Sequence, residues 1–239
     1  MVDKDEIVKF ENYAKKEFFY IEEIPFLLKY YLEKEKWFSL IDIGCGDGGL
    51  LYSLKKQNIL KNKKVYATDL SPTRIKRVKM LDKNFICFVS SADDLEEIAN
   101  NSIDVVISTQ VIEHVPDDEK MVKEISRILR KTGFAYISTV FKKKWAWHFH
   151  RAYGHWALDP THIREYTDES QLFDLFEKYG LQIIEQNKIL FKFPVLNFIF
   201  RYLNINRNVY NNKFLDFIRK VVKIPSIGYY WWEMIVKSR

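Results

Sequence analysis

A glycine-rich segment in the first quarter of the chain has the composition of a ligand-binding loop. A short apolar run over residues 40–43 leads into Gly44-Cys45-Gly46-Asp47-Gly48-Gly49. Glycine is needed where the backbone turns sharply and where a ligand must approach it without a Cβ in the way. The helix predicted to follow adds unpaired N–H groups at the same place. The segment therefore predicts a site for a small ligand.

A carboxylate stands at the end of the next predicted strand. Asp69 closes the run that begins at Val65, and it comes 21 positions after Gly48. A carboxylate at this place can accept hydrogen bonds from both hydroxyls of an adenosine ribose. Together with the glycine segment, it indicates a cofactor that contains a nucleoside.

The charges around the loop decide which cofactor is favoured. Gly44, Gly46 and Gly49 satisfy the dinucleotide pattern GxGxxG, so a nicotinamide-dependent oxidoreductase is an open alternative. Asp42 and Asp47 disfavour it, because a carboxylate repels a pyrophosphate, whereas Asp42 attracts the ammonium of a methionine. The pattern favours S-adenosylmethionine, with S-adenosylhomocysteine as the product. A protein that binds this cofactor without turnover is the remaining alternative.

Histidines are concentrated in one later segment. Four of the five histidines of the chain lie there, namely His148, His150, His155 and His162. Neutral histidine can remove a proton from a hydroxyl acceptor. We therefore expect the catalytic base among His162, His148 and His114, the last of which follows the fourth predicted strand. Arg164, two residues after His162, either anchors this segment to the core or contacts the acceptor.

A metal ion is the alternative role for part of this segment. His148, His150, His155 and Asp159 include nitrogen and oxygen ligands, but His-x-His in a loop is a loose pattern. We assign no metal ligands from the sequence.

Strands and helices alternate through the part of the chain that must position these residues. Hydrophobic periodicity predicts strands at 38–43, 64–68, 85–89, 103–108, 134–139, 181–190 and 227–237. It predicts helices at 50–57, 73–80, 95–99, 118–129 and 168–179, with Ser71 and Thr167 as N-caps. Such alternation is typical of an α/β fold with a parallel sheet that is covered on both faces.

Two interruptions break this alternation. Residues 141–170 are basic, aromatic and rich in histidine, and residues 191–226 are aromatic and basic. Both leave the carboxyl ends of strands, where open α/β sheets bind their ligands. We expect the first to form a lid and both to shape the acceptor pocket. The chain is predicted to be one domain over 1–239, with a helical cover at 1–36 and a cofactor-binding core at 37–140.

Composition and charge restrict the cellular setting and the partners. Cys45 and Cys87 provide no disulfide framework, the first ten residues lack an apolar signal-peptide core, and no run reaches the roughly 18 apolar residues of a membrane span. A cytoplasmic protein is therefore expected. Residues 191–223 carry seven basic residues and one acidic residue, whereas the rest of the chain is neutral overall. No nucleic-acid partner is expected, because the core lacks a basic face.

The same basic segment is also rich in phenylalanine. Apolar side chains with cationic flanks are typical of a surface that docks on anionic lipid. Peripheral membrane contact through 191–223 is one expectation, and packing into the core or into a homodimer is the other.

The ordered motifs resemble those of a known enzyme family. LIDIGCGDG, VYATDLS, SADDL, IDVVISTQVIEHVPD and LRKTGFAYIS follow one another over residues 37–140. In this order they resemble class I S-adenosylmethionine-dependent methyltransferases, and most of all the set that includes ubiquinone-type and sugar or polysaccharide O-methyltransferases. The resemblance implies a Rossmann-like sheet of seven strands in the order 3-2-1-4-5-7-6, with the last strand antiparallel. It also implies O-methylation of a glycan, a lipid-linked molecule or another small molecule.

The resemblance further implies a role for individual residues. The methionine part of the cofactor would be held by Asp42, Gly44, Cys45 and Gly46, mostly through backbone groups. Gln110 would offer its carbonyl to the methionine ammonium, with Val111 beside it. Asp69 would bind the ribose. Leu70 and the backbone N–H of Ala92 would border the adenine, and either Ser91 or Asp93 would contact its amino group.

Overall fold

The computed structural model describes residues 23–148, 150–196 and 221–239, together with eight isolated positions. These positions are Val8, Glu11, Ala14, Ile199, Asn212, Phe214, Phe217 and Ile218. All statements below concern this part of the chain.

Nine strands follow one another along the chain. In order they are β1 (Ser39–Ile43), β2 (Lys64–Asp69), β3 (Ile86–Val89), β4 (Ile103–Thr109), β5 (Leu129–Lys142), β6 (His150–Ala152), β7 (His155–Ala157), β8 (Leu181–Pro194) and β9 (Lys223–Ser238). Seven of them form one sheet in the order β3-β2-β1-β4-β5-β9-β8, and β6 pairs with β7. Strands β1 to β5 pair in parallel, whereas β9 is antiparallel to β5 and β8. The predicted order of the seven-stranded sheet is confirmed.

Five helices that lie entirely within the described residues cover this sheet. They are α1 (Phe26–Lys34), α2 (Gly49–Lys56), α3 (Pro72–Leu81), α4 (Asp118–Ile128) and α5 (Ser170–Lys178). Alternate residues of the central strands pack in two separate apolar clusters, since successive side chains of a strand point to opposite faces. Leu40 packs with α1, α2 and α3, whereas Ile41 packs with α4 and α5. The sheet is therefore covered on both faces, and every residue of β1 is buried.

Two of the predicted helix features are wrong. Residues 95–99 form turns instead of a helix, because Arg127 takes the carbonyls of Leu95 and Ile98 as hydrogen-bond acceptors. Thr167 does not cap α5, which begins only at Ser170. The side chain of Asp168 instead accepts hydrogen bonds from the N–H and the hydroxyl of Ser170. By contrast, Ser71 caps α3 as predicted, with its hydroxyl accepting from the N–H of Arg74.

The two interruptions of the core differ from their predicted form. The first contains the hairpin β6–β7, whose turn residues Tyr153 and Gly154 both have positive φ, as in a type I′ turn. The second is shorter than expected, because β8 continues to Pro194 and β9 already begins at Lys223. Most of residues 195–222 lie outside the described residues, including Phe198 and four of the basic residues between 201 and 219. The division of the chain into one domain with a cover, a core and a lid stays a prediction.

Only part of the predicted N-terminal cover is described. Val8, Glu11 and Ala14 are helical, and α1 follows Pro25. Across the described residues, the helices are too short or too polar to cross a lipid bilayer.

Candidate active site

The glycine loop joins β1 to α2 in a conformation that depends on glycine. Gly44, Gly46 and Gly48 all have positive φ, between 55° and 78°. A Cβ on Gly44 would lie 2.4 Å from a methyl carbon of Val111, which follows β4. A Cβ on Gly46, by contrast, would meet no heavy atom of the described chain within 4 Å. The loop therefore packs closely against Val111 on one side and faces open space at Gly46.

Asp69 ties the end of β2 to this loop. Its Oδ2 accepts a hydrogen bond of 3.0 Å from the N–H of Gly46, and its Oδ1 accepts one of 2.9 Å from the N–H of Ser71. Arg74, on α3, lies 3.5 Å from the same carboxylate. Burial raises the pKa of Asp69, although Arg74 and the two N–H groups oppose that shift. Asp69, the residue predicted to bind the ribose, is thus held in place by these contacts beside the open space at Gly46.

The other predicted residues of the loop are buried beside Asp69. Asp42 lies in β1, and Asp47 forms an ion pair of 2.7 Å with Arg77 of α3. The N–H of Cys45 donates to the carbonyl of Thr68 at 2.9 Å. Burial raises the pKa of the Cys45 thiol well above its usual range, and the nearby carboxylates of Asp69 and Asp42 add to this. Cys45 therefore acts through packing and its backbone, since a protonated thiol is a poor nucleophile.

Glu11 brings the N-terminal segment to the same edge. Its carboxylate accepts hydrogen bonds from the hydroxyl of Ser71 at 2.7 Å, and from the N–H and hydroxyl of Thr73 at 3.0 Å and 2.8 Å. A negative charge at a helix N-terminus is favourable. The sequence did not identify this contact, because Glu11 and Thr73 are 62 residues apart and no local pattern marks the pair.

The two candidates for the adenine amino group lie in one turn. The hydroxyl of Ser91 donates to Oδ1 of Asp93, and Ala92 between them is buried. Leu70 is half-buried at the end of β2. The roles of these residues at an adenine stay predictions.

Gln110 precedes Val111, which packs against the loop, and its side chain leads to a second group of side chains. It follows β4 with an unusual φ of +54°. In the orientation that satisfies both of its partners, its amide donates to Oε1 of Glu113 at 3.0 Å and accepts from the N–H of Thr139 at 3.2 Å. The side chain of Gln110 thus faces Glu113, and the predicted contact of Gln110 with the methionine ammonium stays a prediction.

Glu113, His114 and His162 converge beyond Gln110 and form what we call the histidine–glutamate cluster. One possible ligand atom of each residue lies within 4.8 Å of those of the other two. The two histidine rings meet edge to face, with centroids 4.8 Å apart. Glu113 and His162 are buried, and His114 is half-buried. The structure therefore brings two of the three predicted catalytic histidines together and adds a glutamate that the sequence analysis did not assign.

Burial and charge perturb the acid–base behaviour of this cluster. Burial raises the pKa of Glu113 to about 7, although His162 and a hydrogen bond from Thr139 oppose the shift. Burial by itself would lower the pKa of His162, but its contact with Glu165 and the charge of Glu113 outweigh burial and raise that pKa. Shifts of this kind are concentrated at functional sites.

Arg164 anchors the histidine segment. Its guanidinium donates to the carbonyls of Ile112, Val115 and Pro116, at 3.1 Å for Ile112 and 2.7 Å for Pro116. These hydrogen bonds support the anchoring role for Arg164, and contact with the acceptor stays a prediction. The N–H groups of Ile163 and Arg164 also donate to the carbonyl of Glu113.

His148 and the other lid histidines lie apart from this cluster. The buried ring of His148 meets that of Tyr229 edge to face, with centroids 5.5 Å apart. His155 lies in the hairpin, and the side chain of His150 is outside the described residues. Asp159 accepts hydrogen bonds from the N–H and the hydroxyl of Thr161. In the described part of the chain, the possible metal ligands that converge are Glu113, His114 and His162. The sequence pattern had instead suggested a metal role for His148, His150, His155 and Asp159.

Comparison with known proteins identifies relatives of the whole core. A family model described as a methyltransferase domain matches residues 13–186. The ubiquinone biosynthesis O-methyltransferase of Vibrio cholerae is 28% identical over 153 residues, which cover 58% of this chain and 61% of that relative. The chain thus spans less than two thirds of that relative's length.

Solved structures share the fold. The cyclase SpnF superposes with a TM-score of 0.61 at 13% identity, over 89% of this chain and 80% of that one. A geranyl diphosphate methyltransferase in complex with S-adenosylmethionine superposes with a TM-score of 0.57 at 13% identity, over 88% of this chain and 84% of that one. At such identities the likeness concerns the fold alone.

Proposed function

Because the chain belongs to the methyltransferase-domain family, we propose that it transfers the methyl group of S-adenosylmethionine to a hydroxyl group of its acceptor. The observation that carries this proposal is that the glycine loop packs against Val111, and that the side chain of the preceding residue, Gln110, bonds to Glu113 of the histidine–glutamate cluster. A cofactor site and a set of proton-accepting groups thereby share one edge of the sheet. Membership of this family also disfavours a nicotinamide-dependent oxidoreductase.

The cofactor is proposed to lie along the carboxyl ends of β1, β2 and β4. Its methionine part would pass over Gly46, where space is open, with its ammonium near Asp42 and the carbonyl of Gln110. Its ribose hydroxyls would donate to Asp69, which the N–H groups of Gly46 and Ser71 already hold in place. A carboxylate can accept such additional hydrogen bonds, because its two oxygens have about four lone-pair sites.

The reaction needs positioning and removal of one proton. The acceptor oxygen forms a bond to the methyl carbon while the bond from that carbon to sulfur breaks, and a neutral thioether leaves. Alignment of the two reactants supplies much of the acceleration. The hydroxyl proton passes to a basic group of the histidine–glutamate cluster. His114 is the best placed of these, because it is half-buried whereas its two neighbours are buried.

The acceptor is proposed to carry an apolar part beside its hydroxyl group. An aromatic rim, which we define as Trp145, Trp147 and Trp156 of the lid together with Ile224 and Ile227 of β9, is exposed. Its parts are in contact: Trp147 packs on Trp156, and Trp145 lies against Gly228. The relative from Vibrio cholerae is named for ubiquinone biosynthesis, which also supports a lipid-linked acceptor.

The proposed activity is tested with isotope-labelled cofactor. The protein would be incubated with methyl-deuterated S-adenosylmethionine and a panel of hydroxylated acceptors with and without an apolar chain, followed by mass spectrometry. Calorimetry with S-adenosylhomocysteine and NADH, on the same preparation, measures cofactor choice. Labelled product and tight binding of S-adenosylhomocysteine support the proposal. Binding without product from any acceptor indicates a cofactor-binding protein, and preference for NADH contradicts the proposal.

The aromatic rim is also proposed to rest on anionic lipid. Lys143, Lys144, Lys192 and Lys223 are close to it in sequence or in strand pairing, so apolar side chains are flanked by cations. Sedimentation with anionic vesicles should retain the protein at low salt and release it as salt rises. Ile227→Asp should reduce retention, whereas Phe26→Asp on α1, an equally exposed apolar position, should not. Equal retention of both variants, or none for the parent protein, contradicts this docking.

A further inference from the structure

The histidine–glutamate cluster has the donor set of a metal site. Two imidazoles and one carboxylate bring their ligand atoms within 4.8 Å of one another. Ligands of a shared ion lie about 3–4 Å apart when its bonds are about 2.1 Å long. Small side-chain rotations would therefore close the group around an ion.

Hydrogen bonds orient both histidines for coordination. Nδ1 of His114 lies 3.2 Å from both the carbonyl oxygen and the hydroxyl oxygen of Thr161, and that hydroxyl already donates to Asp159, so a hydrogen on Nδ1 satisfies both contacts. Nδ1 of His162 lies 2.7 Å from Oε1 of Glu165. In the neutral ring, each contact places the lone pair on Nε2. Metal-binding histidines typically donate their other N–H to a carboxylate or a backbone carbonyl in this way.

The backbone around the cluster is held without an ion. Glu113 and His114 follow β4, and His162 comes from the segment after the hairpin. The carbonyl of Glu113 accepts hydrogen bonds from the N–H groups of Ile163 and Arg164, and Arg164 in turn binds the carbonyls on either side of Glu113 and His114. Thr139 donates to Oε2 of Glu113 at 2.9 Å. The three side chains are therefore supported by rigid elements, as a binding site requires.

The local charge also suits a cation. The carboxylates of Glu113, Glu165 and Asp159 surround His162, and the ammonium of Lys142 lies 3.4 Å from Glu165. Lys142 thus pairs with one of these three carboxylates.

We propose that Glu113, His114 and His162 bind one divalent transition-metal cation. Imidazole with one carboxylate suits zinc, cobalt, iron or nickel better than magnesium or calcium, which prefer oxygen ligands. Three protein ligands leave coordination positions open for a further oxygen. Binding of the ion stands on this geometry alone, whereas its catalytic consequence rests on the proposed function. The acceptor hydroxyl would coordinate the ion and lose its proton to water more readily, because the cation lowers its pKa. With the ion bound, His114 would serve as a ligand and no longer as the proton acceptor.

The site is tested by direct metal binding. Chelator-treated protein would be titrated with Co²⁺ and with Zn²⁺ by calorimetry, and Co²⁺ binding would also be followed by visible absorption. One ion per chain is expected, with visible bands that indicate nitrogen and oxygen ligands. His114→Ala and His162→Ala should each weaken binding at least tenfold, and Glu165→Gln about 10–100-fold through the orientation of His162. His155→Ala, in the hairpin, is the matched control and should bind as the parent does.

The readouts separate this inference from the proposed function. The affinity for S-adenosylhomocysteine would be measured on the same samples. If the parent binds S-adenosylhomocysteine but neither metal, or if both histidine variants keep parental metal affinity, the metal site is wrong and the methyltransferase assignment stands. If His162→Ala does not fold, His114→Ala decides, because its side chain is only half-buried.

Discussion

The N–H of Gly46 donates a 3.0 Å hydrogen bond to Oδ2 of Asp69, and this bond joins the loop after β1 to the end of β2. One carboxylate thus shapes the glycine loop and, in the proposed function, also binds the ribose. Substitutions at either residue should therefore affect both stability and cofactor affinity, and controls must separate the two effects.

Replacement of Asp69 should weaken cofactor binding. Asp69→Asn removes the negative charge that accepts from the ribose and places an N–H₂ against one of the N–H groups it now binds. Hydrogen bonds to a charged acceptor contribute about 1.5–3 kcal/mol each, so affinity for S-adenosylhomocysteine should fall at least tenfold. Thermal stability should fall too, because the residue is buried and bonded to Gly46 and Ser71. Calorimetry checks this, with Asp82→Asn as a control away from the site. Unchanged affinity removes the ribose assignment.

Gly46 can be tested against a glycine in a similar backbone conformation. Gly46 and Gly154 both have positive φ, and a Cβ on either would meet no heavy atom of the described chain within 4 Å. Alanine at either position should lower the free energy of unfolding by about 1–2 kcal/mol, because it strains the backbone. Only Gly46→Ala should lose affinity for S-adenosylhomocysteine, because its methyl group would occupy the cofactor's space. Equal affinities in the two variants would show that the cofactor does not pass over Gly46.

Loss of His114 should slow methyl transfer. His114→Ala removes the proposed proton acceptor, or a ligand of the proposed ion, while the glycine loop stays intact. Turnover should fall by about 10²–10⁴-fold, with affinity for S-adenosylhomocysteine within threefold, or about 0.7 kcal/mol, of the parent. His148→Phe is the control, because His148 packs on Tyr229 outside the cluster. A tenfold or greater loss of turnover for His148→Phe, with none for His114→Ala, would indicate that the proton acceptor lies near His148 and not in the histidine–glutamate cluster.

Arg164 should contribute to stability more than an exposed arginine does. Arg164→Met leaves the carbonyls of Ile112, Val115 and Pro116 without their side-chain donor. The expected loss is about 2–4 kcal/mol in the free energy of unfolding, since each unsatisfied polar group costs about 1–3 kcal/mol. Urea denaturation measures it. Arg151→Met in the exposed hairpin should change stability by less than about 0.5 kcal/mol. Similar values for the two variants would contradict the anchoring role.

Asp104 should make stability depend on acid. Burial alone would raise its pKa, but hydrogen bonds from the N–H groups of Ser39 and Phe38 and from Arg130 outweigh burial and hold the pKa below its usual range. A carboxyl group with a lower pKa in the folded state stabilises the protein above its unfolded pKa. That stabilisation is lost as the pH falls toward the folded value.

The acid dependence is measured by urea denaturation between about pH 6 and pH 3, spanning the usual range of Asp. Asp104→Asn should be less stable than the parent at pH 6, and the difference should shrink as the pH falls. A constant difference over this range would show that Asp104 does not titrate in the way described.

Much of the fold could be predicted from the sequence, since it depends on local patterns. The alternation of apolar runs with amphipathic helices predicts parallel strands, and the motif order over 37–140 implies the strand order that the structure shows. Ser71 and Pro72 mark the start of α3 because capping acts within one helical turn. The glycine loop and Asp69 are likewise readable, because a backbone turn at the end of a strand is encoded by adjacent residues.

The partners of the site residues depended on tertiary structure. Glu113 and His114 lie 48 or more residues before His162. Glu11 lies about 60 residues before α3, whose first turn it contacts. The predicted helix at 95–99 is wrong for the same reason. Arg127, which belongs to α4, donates hydrogen bonds to the carbonyls of Leu95 and Ile98. Local propensity acts over a few residues, whereas the sheet brings the ends of distant strands to one edge. The sequence alone therefore determined the fold and the cofactor loop, and only the folded chain determined which acid faces which histidine.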